Sequence, residues 1–186
     1  MIINFIRHGM TEGNRFKRYI GVTDEPLCSD GINELKTIVY PECDKLISSP
    51  MKRCIQTAEI IYPDMNAEIC IGFRECDFGI FEGKNYSELA DVPEYQKWID
   101  SDGKDSFPGG ENPAEFRERC CSAFEETVQR LSDCGTVSLT VHGGVIMAVL
   151  EKYAVPHREF YDWYAGNGHG YITESDGEKI KILEKI

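Results

Sequence analysis

The sequence predicts an α/β fold, a three-layer α/β/α sandwich built on a mostly parallel sheet. Short apolar runs alternate along the chain with segments of helical periodicity, which is typical of a parallel sheet covered on both faces. The length of 186 residues is enough for one substantial hydrophobic core. We therefore expect a single domain spanning residues 1–186.

Four apolar runs predict the strands of this sheet. They are Ile2–Ile6, Lys45–Ser48, Ala67–Ile71 and Thr136–Val141. Near the C-terminus, Tyr171–Thr173 and Lys179–Leu183 flank the sequence Ser175-Asp176-Gly177. Because Asp-Gly between two apolar runs is a strong turn signal, we expect an antiparallel hairpin there.

Two helices are predicted with clear boundaries. Ser49-Pro50 predicts a helix start, with Ser49 as the cap and Pro50 in the first turn, and the helix should end near Ile61, before Pro63. The second helix has one apolar face, made by Phe116, Cys120, Phe124, Val128 and Leu131. The stretch from about residue 76 to 110 is rich in Gly, Asp and Pro and should hold only short helices.

The charge balance excludes some classes of function. The formal net charge is −12, so a nucleic acid or an anionic membrane surface would be repelled at long range. An anionic small molecule can still bind where Arg and His cluster locally. No apolar stretch approaches the roughly 20 residues of a membrane span, and no leader precedes Ile2, so we expect a cytoplasmic location.

The eight cysteines do not form a metal or disulfide pattern. There is no C-x-x-C pair, and Cys120 and Cys121 are adjacent within a helical segment. No cysteine is followed at the sixth position by the arginine that a cysteine-based phosphatase loop needs. We expect these residues to be mostly buried, reduced and structural.

Polar residues follow three of the predicted strands. Arg7 and His8 come directly after the first strand, Arg53 lies in the first turn of the helix after the second, and His142 and Gly143 follow the strand that ends at Val141. In open α/β sheets, ligands bind outside the carboxyl ends of the strands. Two histidines, two arginines and free N–H groups at helix starts should therefore surround one anion-binding pocket.

Four segments in this order resemble the motifs of the histidine phosphatase superfamily, which includes cofactor-dependent phosphoglycerate mutase. They are residues 7–14 (RHGMTEGN), 48–58 (SSPMKRCIQTA), 73–84 (FRECDFGIFEGK) and 141–145 (VHGGV). The segments span most of the chain, and their combination is highly specific. The resemblance implies a phosphoglycerate mutase-like fold.

The resemblance also implies covalent catalysis. His8 would attack phosphorus and form a phosphohistidine, and Glu75 would act as general acid and then as general base. The remaining residues would hold the phosphate: Arg7, Asn14, Arg53, His142 and the amide of Gly143. No metal and no cofactor is implied. At position 10 the family usually has Glu or Gln, whereas this sequence has Met10. This difference indicates an altered rim of the phosphate-binding pocket.

The sequence favours hydrolysis over a mutase reaction, in which the phosphoryl group would be transferred back to a small phosphorylated acid. Phosphoglycerate mutases carry a longer, arginine-rich insertion after the general-acid region. The corresponding segment of this chain, residues 98–107, is short and acidic. The segments 78–84 and 107–111 are similar to those of α-ribazole phosphatases, although Asn112 stands where Ser is usual. These similarities make α-ribazole 5′-phosphate, a precursor in cobalamin lower-loop assembly, the leading substrate.

Three alternatives stay open. The chain could be a broad-specificity or sugar-phosphate phosphatase, a phosphoglycerate mutase, or a non-catalytic module that binds a phosphorylated ligand. Substrate choice should depend on rim residues around Met10, Ile20, Trp98 and Phe107. His169 could border the pocket or serve a turn, His157 has no assigned role, and a homodimer is neither selected nor excluded by the pattern.

Overall fold

A computed structural model describes all 186 residues. It contains one mixed sheet of seven strands in the order β3-β2-β4-β1-β6-β7-β5. The strands are β1 (Ile2–Arg7), β2 (Lys45–Ser48), β3 (Glu68–Ile69), β4 (Thr136–Val141), β5 (Ala154–Val155), β6 (Gly170–Ser175) and β7 (Ile180–Lys185). The four strands β3, β2, β4 and β1 are parallel, and β6 joins β1 in antiparallel orientation.

Seven α-helices connect or flank these strands. They are α1 (Glu12–Arg15), α2 (Ser29–Leu35), α3 (Lys52–Ile61), α4 (Tyr86–Leu89), α5 (Pro93–Asp100), α6 (Pro113–Arg130) and α7 (Gly143–Tyr153). Short 3₁₀ helices occur at residues 71–73, 79–81 and 160–163. No helix is long and apolar enough to cross a membrane.

The sheet has a hydrophobic core on each face. Side chains of successive strand residues point to opposite faces, so Phe5 of β1 packs in a large core of 28 residues while Ile6 packs in a small one of four. The large core includes Phe124 of α6 and Val149 of α7, and the small one includes Ala58 of α3. The predicted α/β/α sandwich with a mostly parallel sheet is confirmed.

Most of the predicted elements are present. Lys45–Ser48, Thr136–Val141 and the C-terminal hairpin form as expected, and the Asp176 carboxylate accepts the N–H groups of Glu178 and Lys179 in the turn. The predicted strand Ala67–Ile71 is shortened to Glu68–Ile69, because β2 offers only Ile47 and Ser48 as partners at this edge of the sheet. The two-residue strand β5 was not predicted.

The predicted start of α3 is wrong by two residues. The helix begins at Lys52 and its N-cap residue is Met51. The Met51 side chain makes no capping hydrogen bond. Instead, the carboxylate of Asp24 accepts the N–H of Lys52 at 2.7 Å. The hydroxyl of Ser49, expected to cap the helix, lies 2.8 Å from Nε2 of His142. This segment is therefore shaped by the polar site rather than by helix capping.

Candidate active site

Three neighbouring parallel strands bring the two histidines together. β1 and β2 flank β4 in the sheet, so the residues that follow these strands meet at one edge. The N–H of His8 donates to the carbonyl of Val141 at 2.9 Å. The imidazole rings of His8 and His142 lie edge to face, with 5.2 Å between their centroids. The expected convergence at the carboxyl ends of the strands is present.

The contacts of His8 define its free nitrogen. Its Nδ1 lies 2.7 Å from the carbonyl oxygen of Gly9, and because a carbonyl can only accept, Nδ1 carries the proton. Nε2 then keeps its lone pair. Burial, and next the positive charges of Arg53 and Arg7, lower the pKa of His8 well below its usual value. The imidazole is therefore neutral and its Nε2 is a nucleophile near pH 7.

His142 is completely buried on the other side of this space. Its Nε2 contacts the Ser49 hydroxyl at 2.8 Å and the Cys54 sulfur at 3.5 Å. Burial, followed by the charge of Arg53, lowers the pKa of His142 well below the ordinary value. His142 is thus a neutral ring whose Nε2 is held by the Ser49 hydroxyl, while its Nδ1 lies 3.8 Å from the Cys54 sulfur.

Both arginines keep a buried donor without a partner. Arg53 is fully buried, and its terminal nitrogens donate to the carbonyls of Gly21 and Thr23, each at 2.8 Å. Arg7 donates to the carbonyl of Ala165 at 2.8 Å. In each guanidinium, Nε has no hydrogen-bond partner. An unpaired buried donor costs about 1–3 kcal/mol, so two in one cluster indicate a site for an anion.

Glu75 lies beside the two glycines at the start of α7. Its oxygens accept the N–H groups of Cys76 at 3.0 Å and Gly144 at 3.2 Å. Burial raises the pKa of the carboxyl group, while these two hydrogen bonds and the arginines oppose the shift. A Cβ atom at Gly144 would lie 2.3 Å from a carboxylate oxygen of Glu75, so only glycine permits this approach.

Gly143 opens α7 directly after the cap residue His142. Its N–H belongs to the first turn, where backbone donors have no partner within the helix. A Cβ atom at Gly143 would be 3.4 Å from Nε of Arg7, so this glycine lies against one of the unpaired donors. The helix start therefore adds a backbone donor beside the arginine.

Asn14 is oriented by a residue that sequence reasoning did not assign. The side-chain NH₂ of Asn167 donates to Oδ1 of Asn14 at 3.0 Å and to the carbonyl of His8 at 3.1 Å. The N–H of Thr11 also donates to Oδ1 of Asn14, at 3.3 Å. The carbonyl side of the Asn14 amide is thereby occupied, and its NH₂ remains available to a ligand. No pattern within the sequence around Asn167 identifies this role.

Glu82 is a second residue whose role the sequence did not reveal. Its carboxylate accepts N–H groups of Gly21 and Val22, both at 3.0 Å, and the hydroxyl of Thr23 at 2.7 Å. The carbonyls of Gly21 and Thr23 hold the guanidinium of Arg53. Glu82 therefore holds the loop at residues 21–23, and the carbonyls of this loop in turn hold the guanidinium of Arg53.

We call His8, His142, Arg7 and Arg53 the histidine–arginine cluster. This cluster adjoins a cleft of about 330 Å³. Arg7 of the cluster lines the cleft, together with Glu75 and Gly143. Eight aromatic residues line this aromatic cleft: Tyr19, Phe78, Trp98, Phe107, Phe116, Phe160, Tyr161 and Tyr164. The cavity therefore has a polar end, at Arg7, Glu75 and Gly143, and an apolar wall of aromatic side chains.

The expected rim is partly wrong. Trp98 and Phe107 line the aromatic cleft, but Met10 and Ile20 do not. The backbone of Met10 lies against Gly31 of α2, and the carbonyl of Ile20 lies 3.4 Å from a terminal nitrogen of Arg53. His169 also lies outside the cleft lining, and its Nδ1 contacts the carbonyl of Ile186 at 3.0 Å.

Other polar residues have structural contacts. Asn112 caps α6 by accepting the N–H groups of Ala114 and Glu115, a role that the usual Ser would also fill. His157 is exposed and contacts the carbonyl of Glu151 at 3.0 Å. All eight cysteines are free thiols, and no group of three or more His, Cys, Asp and Glu residues is arranged to hold a metal ion.

The family follows from a match over almost the whole chain. Residues 3–185 match the model of the histidine phosphatase superfamily, branch 1. The chain belongs to this superfamily. The predictions of the family and of an enzyme of the phosphatase class are therefore confirmed.

Individual relatives are similar at moderate identity. A broad-specificity phosphatase of Saccharomyces cerevisiae is 30% identical over 160 residues, which is 78% of this chain and 67% of the relative. The adenosylcobalamin/α-ribazole phosphatase of Salmonella typhimurium is 27% identical over 156 residues, 79% of this chain and 76% of the relative.

A solved structure shares the fold. The α-ribazole phosphatase from Shigella flexneri superposes with a TM-score of 0.86 at 21% identity, covering 98% of this chain and 95% of that one. At this identity the likeness concerns the fold alone. It agrees with the phosphoglycerate mutase-like sandwich expected from the motifs.

Proposed function

We propose that this histidine phosphatase hydrolyses a small phosphomonoester through a phosphohistidine on His8. The observation that carries the proposal is the free Nε2 of a neutral His8 within a cluster whose two arginines each keep an unpaired Nε–H donor. A nucleophile beside vacant cationic donors suits attack on a phosphate.

The first step transfers the phosphoryl group. The lone pair of Nε2 of His8 forms the N–P bond as the bond from phosphorus to the ester oxygen breaks. The leaving oxygen takes a proton from Glu75, whose raised pKa favours the protonated form that a general acid needs. The alcohol departs, and the phosphoryl group stays on His8.

The second step reverses the proton transfer. Glu75, now a carboxylate, removes a proton from a water molecule that attacks phosphorus, and the N–P bond breaks to release inorganic phosphate. His8 returns to its neutral form, with Nδ1 still carrying its proton and donating it in the hydrogen bond to the Gly9 carbonyl. Together the two steps return His8 and Glu75 to their starting states, and neither step changes an oxidation state.

The charge of the transferring group is the main energetic problem of this reaction. Arg7 and Arg53 would supply two cationic donors, and His142 a third donor through the nitrogen that Ser49 does not occupy. The NH₂ group of Asn14 and the N–H of Gly143 would complete the set of phosphate ligands. Because burial removes water, each of these hydrogen bonds counts for more than it would in solvent.

The aromatic cleft bears on the substrate. Its walls suit a flat, apolar leaving group, because aromatic faces stack on planar rings. We propose α-ribazole 5′-phosphate as the leading substrate, and the similarity to the adenosylcobalamin/α-ribazole phosphatase of Salmonella typhimurium supports this choice. The yeast relative supports broad specificity as the alternative.

A phosphate-release assay separates these alternatives. α-Ribazole phosphate, 3-phosphoglycerate, a fructose bisphosphate, phosphoserine and p-nitrophenyl phosphate would be compared with EDTA present. We expect kcat/KM to be highest for α-ribazole phosphate. A flat profile would favour broad specificity, phosphoryl exchange between phosphoglycerates would favour a mutase, and phosphate binding without turnover would overturn catalysis in favour of a binding module.

A further inference from the structure

A second arginine lines the aromatic cleft outside the histidine–arginine cluster. Arg117 lies on α6, and its side chain is 41% exposed. A free guanidinium at this position would attract a second anionic group on a substrate, such as a carboxylate or another phosphate. Whether the cleft selects such substrates therefore depends on what Arg117 contacts.

Arg117 is already paired with a carboxylate. Its Nη1 donates to Oε2 of Glu151 on α7 at 2.9 Å, and the Glu151 side chain is only 20% exposed. The other oxygen of Glu151 accepts the backbone N–H of Phe160 at 3.1 Å. The ring of Phe160 lies 4.2 Å from Cζ of Arg117, so the guanidinium is held at one edge by charge and on one face by a ring.

The rest of the cleft offers no substitute for this charge. Arg7 and Arg117 are its only cationic lining residues, and Glu75 is its only acidic one. Since Arg7 belongs to the histidine–arginine cluster, it is committed to the transferring phosphate in the proposed function. The formal net charge of −12 further disfavours any second anion that approaches the cleft.

We propose that Glu151 makes the aromatic cleft selective for leaving groups without negative charge by neutralising Arg117. This inference rests on the proposed phosphatase function and narrows its substrate class. Monoesters of neutral, largely apolar alcohols are accepted, and substrates that carry a second anion are disfavoured. Glu151 is a specificity-determining residue that acts through Arg117 and does not touch the substrate.

The direct test is the substitution Glu151→Gln. Glutamine has nearly the same shape and keeps an oxygen that can accept the N–H of Phe160, but it carries no charge. The substrates are phenyl phosphate and its para- and meta-carboxyphenyl analogues, which differ only in the carboxylate. We expect the ratio of kcat/KM for a carboxyphenyl substrate to that for phenyl phosphate to rise by about three- to tenfold.

Two further variants complete a double-mutant cycle. Arg117→Gln removes a cation from the cleft lining and leaves the neighbouring Glu151 carboxylate unpaired, so the same ratio should fall below that of the unmodified protein. Combining both substitutions should abolish the gain made by Glu151→Gln. If Glu151→Gln does not fold, as judged by circular dichroism, the opposite shift in Arg117→Gln still tests the inference.

A matched control removes a carboxylate elsewhere. Glu125 forms a surface ion pair with Lys152 at 3.2 Å and does not line the cleft. Glu125→Gln changes the net charge by the same amount as Glu151→Gln, and we expect it to leave the ratio unchanged. An equal rise in both variants would identify a general charge effect and overturn the inference.

Failure of the inference and failure of the proposed function look different. If phenyl phosphate is hydrolysed but the ratio is the same in the unmodified protein, Glu151→Gln and Arg117→Gln, the selectivity proposal is wrong and the phosphatase proposal stands. If the unmodified protein releases phosphate from none of the esters, the proposed function fails and the inference falls with it.

Discussion

The histidine–arginine cluster and the aromatic cleft meet at Arg7 but are built in different ways. His8 and His142 directly follow strands at the centre of the sheet, and Arg53 lies in the first turn of α3. The cleft instead takes Tyr19, Trp98 and Tyr161 from three separate connecting segments. The sheet therefore fixes where phosphate chemistry could occur, whereas the connecting segments determine which leaving group can be bound beside the phosphate.

Burial distinguishes the two regions as well. His8, Arg53 and His142 are buried, Arg7 is partly buried, and all four are held by backbone carbonyls or a hydroxyl. In the cleft, by contrast, Tyr161 and Tyr164 are 71% and 62% exposed. Substitutions in the cluster should therefore affect all substrates severely. Substitutions in the cleft should have small effects that depend on the leaving group.

The largest effect is expected from His8→Ala. Removing the imidazole removes the nucleophile, so turnover of every phosphomonoester should fall by at least about 10³-fold. Phosphate release under single-turnover conditions measures this loss. His157→Ala is the matched control, because His157 is exposed and lies outside the cleft lining, and its activity should be unchanged. Turnover retained in His8→Ala would exclude the phosphohistidine mechanism.

Glu75→Gln should show the next largest effect. Glutamine keeps the size of the side chain and one oxygen that can accept the N–H of Cys76 or of Gly144, which now bind different carboxylate oxygens, but it cannot donate a proton to the leaving oxygen. We expect hydrolysis of alkyl phosphates to slow by about 10²–10⁴-fold and that of p-nitrophenyl phosphate much less, because nitrophenolate leaves without protonation. Equal losses on both kinds of ester would argue against Glu75 as the general acid.

The pH dependence should reflect His8 and Glu75 together. Below the pKa of His8 the protonated imidazole cannot attack, so kcat/KM falls with acidification, and the lowered pKa places this fall below the ordinary histidine value of 6.5. Above the pKa of Glu75 the general acid is lost, and the raised pKa places this second fall above 4.5.

The measurement is a profile of kcat/KM against pH, corrected for the second ionisation of the substrate phosphate near pH 6. We expect an optimum on the acidic side, with rates falling about tenfold per pH unit beyond each limit. Glu75→Gln should lose the alkaline fall. An acidic fall centred at or above pH 6.5 would contradict a neutral, buried His8.

A pair of glycine substitutions tests the contact between helix α7 and Glu75. In Gly144→Ala, the added Cβ would lie 2.3 Å from a carboxylate oxygen of Glu75, so the carboxylate must move. In Gly143→Ala, the nearest side-chain atom is Nε of Arg7 at 3.4 Å, which is an ordinary contact. We expect kcat on alkyl phosphates to fall about tenfold or more in Gly144→Ala and less in Gly143→Ala. The reverse order would refute this placement of Glu75.

The comparison also explains how much could be predicted from the sequence. Residues 7, 8, 53 and 142 sit next to strand or helix boundaries, so local patterns together with the family motifs located them. Asn167 and Glu82 act through contacts with residues at least 59 positions away in the chain. No local periodicity encodes such contacts, and the same is true of the pairing between Arg117 and Glu151.

Two sequence expectations failed for a physical reason of the same kind. Met10 lies within the first motif and Ile20 shortly after it, but neither lines the cleft: the backbone of Met10 packs against α2, and the carbonyl of Ile20 lies 3.4 Å from Arg53. Pro50 predicts a helix cap at the preceding Ser49, but the Ser49 hydroxyl contacts Nε2 of His142. In each case a tertiary contact outweighed a local preference.

The smallest effect is expected from Tyr161→Ala at the mouth of the aromatic cleft. The ring of Tyr161 packs edge to face on Phe160 and is largely exposed, so its loss should cost the fold little. One aromatic contact is worth about 0.5–1.5 kcal/mol, so kcat/KM for aryl phosphates should fall about three- to tenfold, with little change for glycerol phosphate. Tyr86→Ala is the control, because Tyr86 is 63% exposed and does not line the cleft. An equal loss on both substrates would mean that Tyr161 acts on the histidine–arginine cluster and that the two regions are not separable.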